Sequence, residues 1–144
     1  MKFRRLSAWI AGLWAGVLWG VGLIGAPAGF ATAAPDTAGR IAGRMFAQEA
    51  TLSLAVAIVL FIILRRMARD AAEAGAGSVF SANMVLVLGA LFCTVFGYFA
   101  LQPMMAAAKA GQGSLSFGAL HGISAGLYML KAALVSIAAW RLTA

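Results

Sequence analysis

Four polar residues stand at spacings of three, four and three residues in the last apolar stretch of this chain: His121, Ser124, Tyr128 and Lys131. On an α-helix they fall within one arc of under about 100°, so they form a polar stripe. The stretch runs from Phe117 to Trp140 and is long enough to cross a bilayer, where polar side chains are costly unless they face protein, water or a ligand. The stripe is therefore the strongest candidate for a functional site.

A second polar stripe lies in the preceding apolar stretch, where polar residues recur every four positions. Four more polar residues open the second stretch: Gln48, Glu49, Thr51 and Ser53. If both termini lie on one side of the membrane, most of these groups share the outer half of the bundle. The sequence therefore predicts a small polar pocket that opens to the outer face. Its candidate members are Gln48, Glu49, Thr94, Tyr98, Gln102, His121, Ser124, Tyr128 and Lys131.

His121 is compatible with three roles: a structural hydrogen bond, for example to Glu49 or Gln102, a proton or ligand contact, or ligation of haem or a metal. The chain has no second histidine, which excludes a bis-histidine haem or a histidine-rich metal site within one subunit. A symmetric dimer would still supply two histidines. We predict no cofactor and no metal.

Lys131 either extends towards the inner surface or stays buried beside Tyr128 to bind an anion or move a proton. No carboxylate occurs in the inner halves of the predicted spans, so no internal partner for Lys131 is expected. Glu49 is the only carboxylate within a predicted span. We expect it either to pair with His121 or to lie at the membrane interface.

Positioning these residues requires several membrane-spanning helices, and the composition supports them. The 144 residues are 63% hydrophobic and only 10% charged, which is outside the range of soluble globular proteins. Four apolar stretches approach the roughly 20 residues that a spanning helix needs. The sequence predicts an all-α fold, an integral membrane four-helix bundle that occupies residues 1–144 as one domain. The predicted spans are about 8–25, 46–64, 84–101 and 117–140.

The net charge of +7 would suggest nucleic acid as the partner of a soluble protein. Here the positive residues collect at the ends of spans, where they orient a membrane protein, so no nucleic acid is expected. One side has seven of them and the other three, which predicts a bacterial inner-membrane protein with both termini in the cytoplasm. The seven are Lys2, Arg4, Arg5, Arg65, Arg66, Arg69 and Arg141; the three are Arg40, Arg44 and Lys109.

Small residues four positions apart occur in three of the spans and predict close helix packing of the Gly-x-x-x-Gly type. The same faces would equally suit contact with another subunit. The residues are Gly12, Gly16 and Gly20 in the first span, Gly89, Cys93 and Gly97 in the third, and Gly118, Gly122 and Gly126 in the fourth. Cys93 is the only cysteine and is expected to pack as a small side chain.

Three other segments decide the organisation of the chain. Residues 1–34 resemble a signal peptide, but the apolar run is long and carries the glycine repeat, so we interpret it as a retained helix. Residues 65–81 and 102–116 are predicted to be solvated loops, and neither contains a phosphate-binding motif.

Short motifs occur along most of the chain: Trp14-x-Gly16, Ala26-Pro27-x-x-Phe30, Ala38-Gly39-Arg40-x-x-Gly43-Arg44-x-Phe46, and Leu120-His121-Gly122 followed by Ser124. Together they resemble the transmembrane-protein-205-like family, a domain of unknown function. The resemblance implies a four-helix membrane protein with a retained first helix and no assigned catalytic residues.

The leading hypothesis from the sequence is a non-enzymatic membrane protein that handles a small molecule or assembles with a partner. Its partners would be the lipid bilayer and either further copies of itself or another membrane protein. Two alternatives remain: a haem-binding membrane oxidoreductase that uses His121, and an oligomeric transporter of small solutes.

Overall fold

The computed structural model describes residues 2–144, and within them it contains helices and no strands. Four long helices are apolar enough to cross a membrane by length and composition, and we name them span 1 (Lys2–Thr32), span 2 (Pro35–Glu73), span 3 (Ala82–Lys109) and span 4 (Phe117–Thr143). Each predicted span lies inside one of them. The all-α four-helix fold is confirmed, and the four apolar helices indicate a membrane protein.

Spans 1 and 3 are not uniform α-helices, because each contains a π-helical segment. Span 1 consists of α1 (Lys2–Trp19), a first π segment (Gly20–Gly25) and α2 (Ala26–Thr32). Span 3 consists of α4 (Ala82–Thr94), a second π segment (Val95–Ala100) and α5 (Leu101–Lys109). Spans 2 and 4 are single α-helices, α3 and α6, with the bounds given above.

Proline explains where the π segments occur. Pro27 and Pro103 lie just after them, and each lacks an N–H group and crowds the carbonyl four residues before it. Those two carbonyls, of Leu23 and Phe99, lie inside the π segments. A turn that bonds five residues back accommodates the ring without ending the helix, which is how a proline is tolerated within a membrane span.

The four spans form a ring in which each packs against two neighbours. Span 4 lies between spans 1 and 3, and span 2 closes the ring on the other side. Among the described residues, the backbones of the diagonal pairs, spans 1 and 3 and spans 2 and 4, do not approach each other. The apolar centre receives one fully buried large side chain from each span: Leu18, Leu60, Val87 and Val135.

Both predicted loops are shorter than expected, because the flanking helices continue into them. Span 2 extends to Glu73 and span 3 to Lys109, so residues 65–73 and 102–109 are helical. Alanine, arginine and glutamate are strong helix formers, so these residues extend a helix that is already anchored in a span. The helices end where glycines adopt positive φ angles, Gly75 at 70° and Gly111 at 73°.

Most of the predicted glycine packing is not observed within the chain. A Cβ atom added at six of the glycines would meet nothing within 4 Å: Gly12, Gly16, Gly20, Gly118, Gly122 and Gly126. Span 1 instead turns its Trp14 and Leu18 face inward, which leaves the glycine face outside. Only the glycines of span 3 pack as predicted, since a Cβ at Gly89 or Gly97 would lie 3.0 Å from a leucine of span 4.

Candidate functional site

The centre of the bundle contains a buried ion pair between spans 2 and 4. The Nζ atom of Lys131 lies 2.8 Å from Oε1 and 2.9 Å from Oε2 of Glu49, so the ammonium donates to both carboxylate oxygens. Each side chain is only 3% exposed. Because charges are costly in a low-dielectric interior unless paired, this pair is the most constrained polar feature of the molecule.

Span 1 joins the pair through a hydrogen-bonded chain. The Ser53 hydroxyl, one turn after Glu49 on span 2, donates to Oε1 of Glu49. The indole Nε1 of Trp14 in turn donates to the Ser53 hydroxyl at 2.8 Å. Both Trp14 and Ser53 are buried. The carboxylate therefore accepts from two spans directly, and a third span orients one of its donors.

Tyr128 completes the surroundings of the ammonium. Lys131 Nζ lies 4.9 Å from the centroid of the Tyr128 ring, within the range of a cation–π contact. The ring also meets Phe46 of span 2 edge-on, with centroids 5.2 Å apart. The phenol donates a 2.7 Å hydrogen bond to the carbonyl of Leu18, just before the first π segment.

These contacts join helices that are otherwise separated. Spans 2 and 4 lie on a diagonal of the ring, and the Glu49–Lys131 pair bridges them across the centre. Glu49 lies roughly 21 Å along span 2 from Pro35, at 1.5 Å per residue. Lys131 lies the same distance along span 4 from Phe117. Within residues 2–144, every buried side-chain nitrogen or oxygen has a hydrogen-bond partner.

The ion pair corrects two expectations. Lys131 does have an internal partner, and Glu49 does not pair with His121. Glu49 was expected at the outer end of span 2, and Lys131 was expected in the inner part of span 4. The structure instead places the two residues at the same level along their helices.

His121 also differs from expectation, since it does not hydrogen-bond to Glu49 or Gln102. It is exposed, and its ring stacks on Phe117 one turn earlier with centroids 5.7 Å apart. Gln48 is exposed as well, and Gln102 is half-buried. These outer polar residues are therefore not gathered around the buried pair.

The remaining stripe residues bond to backbone or stack locally. Ser124 donates a 2.7 Å hydrogen bond to the carbonyl of Gly97 in the second π segment. Thr94 is fully buried and donates to the carbonyl of Ala90 in its own helix. Tyr98 meets the neighbouring Phe99 edge-on. Ser124 and Thr94 therefore donate to backbone carbonyls, and Tyr98 packs against its neighbour.

Two surface cavities of the described chain lie elsewhere. One is a surface groove of about 610 Å³ along the last turns of span 2, and the other, of about 230 Å³, lies beside Gly12 and Thr143. No cluster of three or more histidine, cysteine, aspartate or glutamate side chains with metal-binding geometry occurs among residues 2–144.

Trp14, a member of the central network, was not predicted, and Ser53 was expected at the level of the pocket but was not counted among its candidate members. Ser53 follows Glu49 by four positions, so helical periodicity alone would have placed the two on one face. Trp14 could not be found that way, because its contact with Ser53 depends on which face span 1 turns towards span 2.

The family described as "Domain of unknown function (DUF4149)" matches residues 9–114 of this chain. The match includes most of span 1, all of spans 2 and 3, and therefore Glu49, Ser53 and Trp14. It ends before span 4, which carries Lys131. No curated protein and no solved structure matches the chain significantly.

Proposed function

We propose that this chain, which belongs to the DUF4149 family of unknown function, is a non-enzymatic membrane protein. We propose further that it assembles with another membrane protein. The Glu49–Lys131 pair fixes the helix arrangement that the partner recognises. The bidentate contact between diagonal helices carries this proposal. The charge distribution, seven positive residues against three, further supports a bacterial inner membrane with both termini in the cytoplasm.

The energetics of buried ion pairs support a role in specificity. Replacing such a pair by apolar residues of similar size is often neutral for stability, so stability alone does not explain its presence. In lipid, apolar helices gain little by choosing one arrangement over another, whereas polar contacts between helices select one. Glu49 of the pair accepts a hydrogen bond from Ser53, and Lys131 lies over the ring of Tyr128. All of these contacts can form together in only one arrangement of spans 1, 2 and 4.

The outer surface of span 1 supports the choice of a membrane partner. Gly12 and Gly16 lie on its exposed face, where small residues let a second helix approach closely. Gly12 also lines the smaller cavity, together with the exposed side chains of Trp9 and Leu13. We assign this groove to a transmembrane helix of the partner.

The test is purification of the full chain from its native membrane in mild detergent, followed by mass spectrometry of the associated proteins. We expect one membrane protein at fixed stoichiometry. Lys131→Met should lose both the partner and thermal stability, whereas Glu49→Met with Lys131→Met should regain stability but lose the partner, because the polar contact that selects the helix arrangement is gone. Gly12→Leu with Gly16→Leu should lose only the partner, whereas Ile58→Leu, also on an exposed face, should lose neither.

Two results would overturn the assembly role. One is a wild-type chain that purifies alone. The other is a double variant, Glu49→Met with Lys131→Met, that folds normally and keeps the partner. The second result would show that the ion pair does not fix the arrangement that the partner recognises.

A transporter of small solutes is the second candidate, and the π segments favour it. Both pack against the same part of span 4: Gly22 of the first meets Tyr128, and Gly97 of the second meets Leu127. π-helical turns often mark functional sites, and here they lie one turn from Lys131. The test is proton flux into liposomes, followed with a pH-sensitive dye. If the chain is a transporter, the flux should be lost in Glu49→Met with Lys131→Met even though that double variant folds.

An outer-facing ligand site and a haem site at His121 are two further proposals. A bis-histidine haem would form between chains, because the chain has one histidine and its imidazole is exposed. Kinship with the transmembrane-protein-205-like family rests on the short motifs given above and adds no activity to the proposal.

A further inference from the structure

The groove along the last turns of span 2 has a graded lining. Phe61 and Ile62 come first, three arginines follow, and two carboxylates end it; the polar lining residues are Arg65, Arg66, Arg69, Asp70 and Glu73. Ile62 is 62% exposed, so its side chain is available to an acyl chain. From Ile62 to Arg69 the rise is about 10 Å, so the groove passes from apolar to basic over two turns.

The arginines of this groove have no acidic partner. Within residues 2–144 the only salt bridge is the central Glu49–Lys131 pair, and none of the three guanidinium groups lies within salt-bridge distance of Asp70 or Glu73. Arg66 lies over the ring of Phe3 at 5.3 Å, which holds the start of span 1 beside the groove. Three guanidinium groups next to exposed apolar side chains therefore remain available to an anion.

We propose that this groove binds the phosphate of an anionic glycerophospholipid, with an acyl chain against Phe61 and Ile62. Guanidinium groups bind phosphate oxygens through two parallel hydrogen bonds, and basic pockets at the ends of membrane helices recognise lipid head groups. The proposal is independent of any protein partner, because the groove lies at the end of span 2, away from Glu49 and from the glycine face of span 1. Arginines that only orient the chain would need no such adjoining apolar surface.

The acidic end of the groove gives the proposal a second, opposite test. Asp70 and Glu73 follow the arginines, and Glu73 lies about 6 Å beyond Arg69 along the helix axis. The two carboxylates repel a negatively charged ligand in the groove. Neutralising them should therefore tighten binding of an anionic lipid, whereas neutralising the arginines should weaken it. Two substitutions on one helix face with opposite effects cannot both result from general destabilisation.

The experiment is native mass spectrometry of the purified full chain with added dioleoyl phosphatidylglycerol, dioleoyl phosphatidylcholine or inorganic phosphate. We expect preferential retention of phosphatidylglycerol. Arg65→Gln, Arg66→Gln and Arg69→Gln together should lower its retention on the order of 100-fold, at roughly fivefold for each charge near the surface. The same three changed to lysine should give an intermediate loss, because the charge remains while the bidentate geometry is lost.

Matched controls separate a site from general electrostatics. The variant with Arg40, Arg44 and Lys109 changed to glutamine removes the same charge at the other ends of the helices and should retain the lipid normally. Asp70→Asn with Glu73→Gln should raise retention severalfold. Equal retention of the two lipids, equal loss in the control variant, or binding of inorganic phosphate as tight as that of phosphatidylglycerol would each overturn the proposal.

Discussion

The two ends of the polar stripe on span 4 have opposite environments. His121, near the start of the helix, is exposed and stacks on the ring of Phe117. Lys131, ten residues later on the same face, is 3% exposed and bound to both oxygens of Glu49. From residue type alone, His121 was the stronger candidate for a functional role. In the structure, the position of a residue along the bundle decides whether its side chain is buried and paired.

The neighbours of span 4 explain this difference. Lys131 lies where spans 1 and 3 flank the helix and span 2 stands across the centre, so its side chain has to find a partner inside. His121 lies in the first turns of span 4, beyond Ser124, which is the first stripe residue to contact another span. A charged group in the shared interior is therefore bound, whereas a titratable group at the periphery is left free.

The largest effect is expected from removing one charge of the central pair. Lys131→Met leaves Glu49 buried with only Ser53 as a donor, and breaking a buried pair from one side typically costs about 3–5 kcal/mol. We expect the variant to unfold in detergent at a markedly lower temperature than the wild type. Circular dichroism measures the unfolding. Glu49→Gln should be comparably destabilising, because it leaves the ammonium without its counter-charge.

The double variant, Glu49→Met with Lys131→Met, is the control for that prediction. It removes both charges and should recover to within about 1 kcal/mol of the wild type, since an apolar pair of similar volume is often neutral. If the single variants unfold no earlier than the wild type, the pair does not hold spans 2 and 4 together.

Much of the fold could be predicted from the sequence, because apolar length and composition indicate four helices that are long and apolar enough to cross a bilayer. The ends of the helices could not, since the charged and alanine-rich residues after Leu64 are as compatible with a helix as with a loop. Pro27 and Pro103 were visible in the sequence. Their consequence, a π turn that keeps the helix continuous, could not be predicted, because a proline within a helix can equally kink or end it.

The candidate site was predicted less well, although several of its residues were named. Glu49, Tyr128 and Lys131 were all candidates, but Glu49 and Lys131 were not expected to lie at the same level of the bundle. Which face each helix turns inward depends on the sum of many packing contacts, and no single periodicity encodes it. For that reason the glycine faces of spans 1 and 4 were predicted to pack and the Trp14 face was not considered.

The next largest effect is expected from crowding span 4 at Tyr128. A Cβ atom at Gly22 would lie 2.8 Å from Cε1 of Tyr128, whose ring is held by its bond to Leu18 and by Lys131. Gly22→Ala should therefore destabilise the chain by about 1–3 kcal/mol, the usual cost of overpacking. Thermal unfolding in detergent measures it.

Two other glycines serve as controls for that substitution. Gly16→Ala meets no atom within 4 Å and should be neutral or slightly stabilising. Gly25→Ala would contact only the flexible end of Met45, which can move, so its cost should be smaller than that of Gly22→Ala. Equal losses at Gly22 and Gly16 would contradict the close approach of span 1 to Tyr128.

A smaller effect is expected for the link between Trp14 and Ser53. A double-mutant cycle with Trp14→Phe and Ser53→Ala should give a coupling energy of about 0.6–1.7 kcal/mol, the range for hydrogen bonds between membrane helices. The matched cycle uses Trp9→Phe, since Trp9 is 71% exposed, and should show no coupling. Coupling of equal size in both cycles would mean that the indole of Trp14 does not orient Ser53.

The smallest effect is expected at the exposed end of the stripe. His121→Ala removes a ring that contacts only Phe117, and surface substitutions of this kind usually change stability by less than about 0.5 kcal/mol. We expect an unchanged melting temperature and an unchanged absorbance spectrum of the purified protein. A Soret band in the wild type that disappears in His121→Ala would instead restore the haem hypothesis through a site between chains, because one exposed imidazole per chain can form a bis-histidine ligand set only when two chains meet.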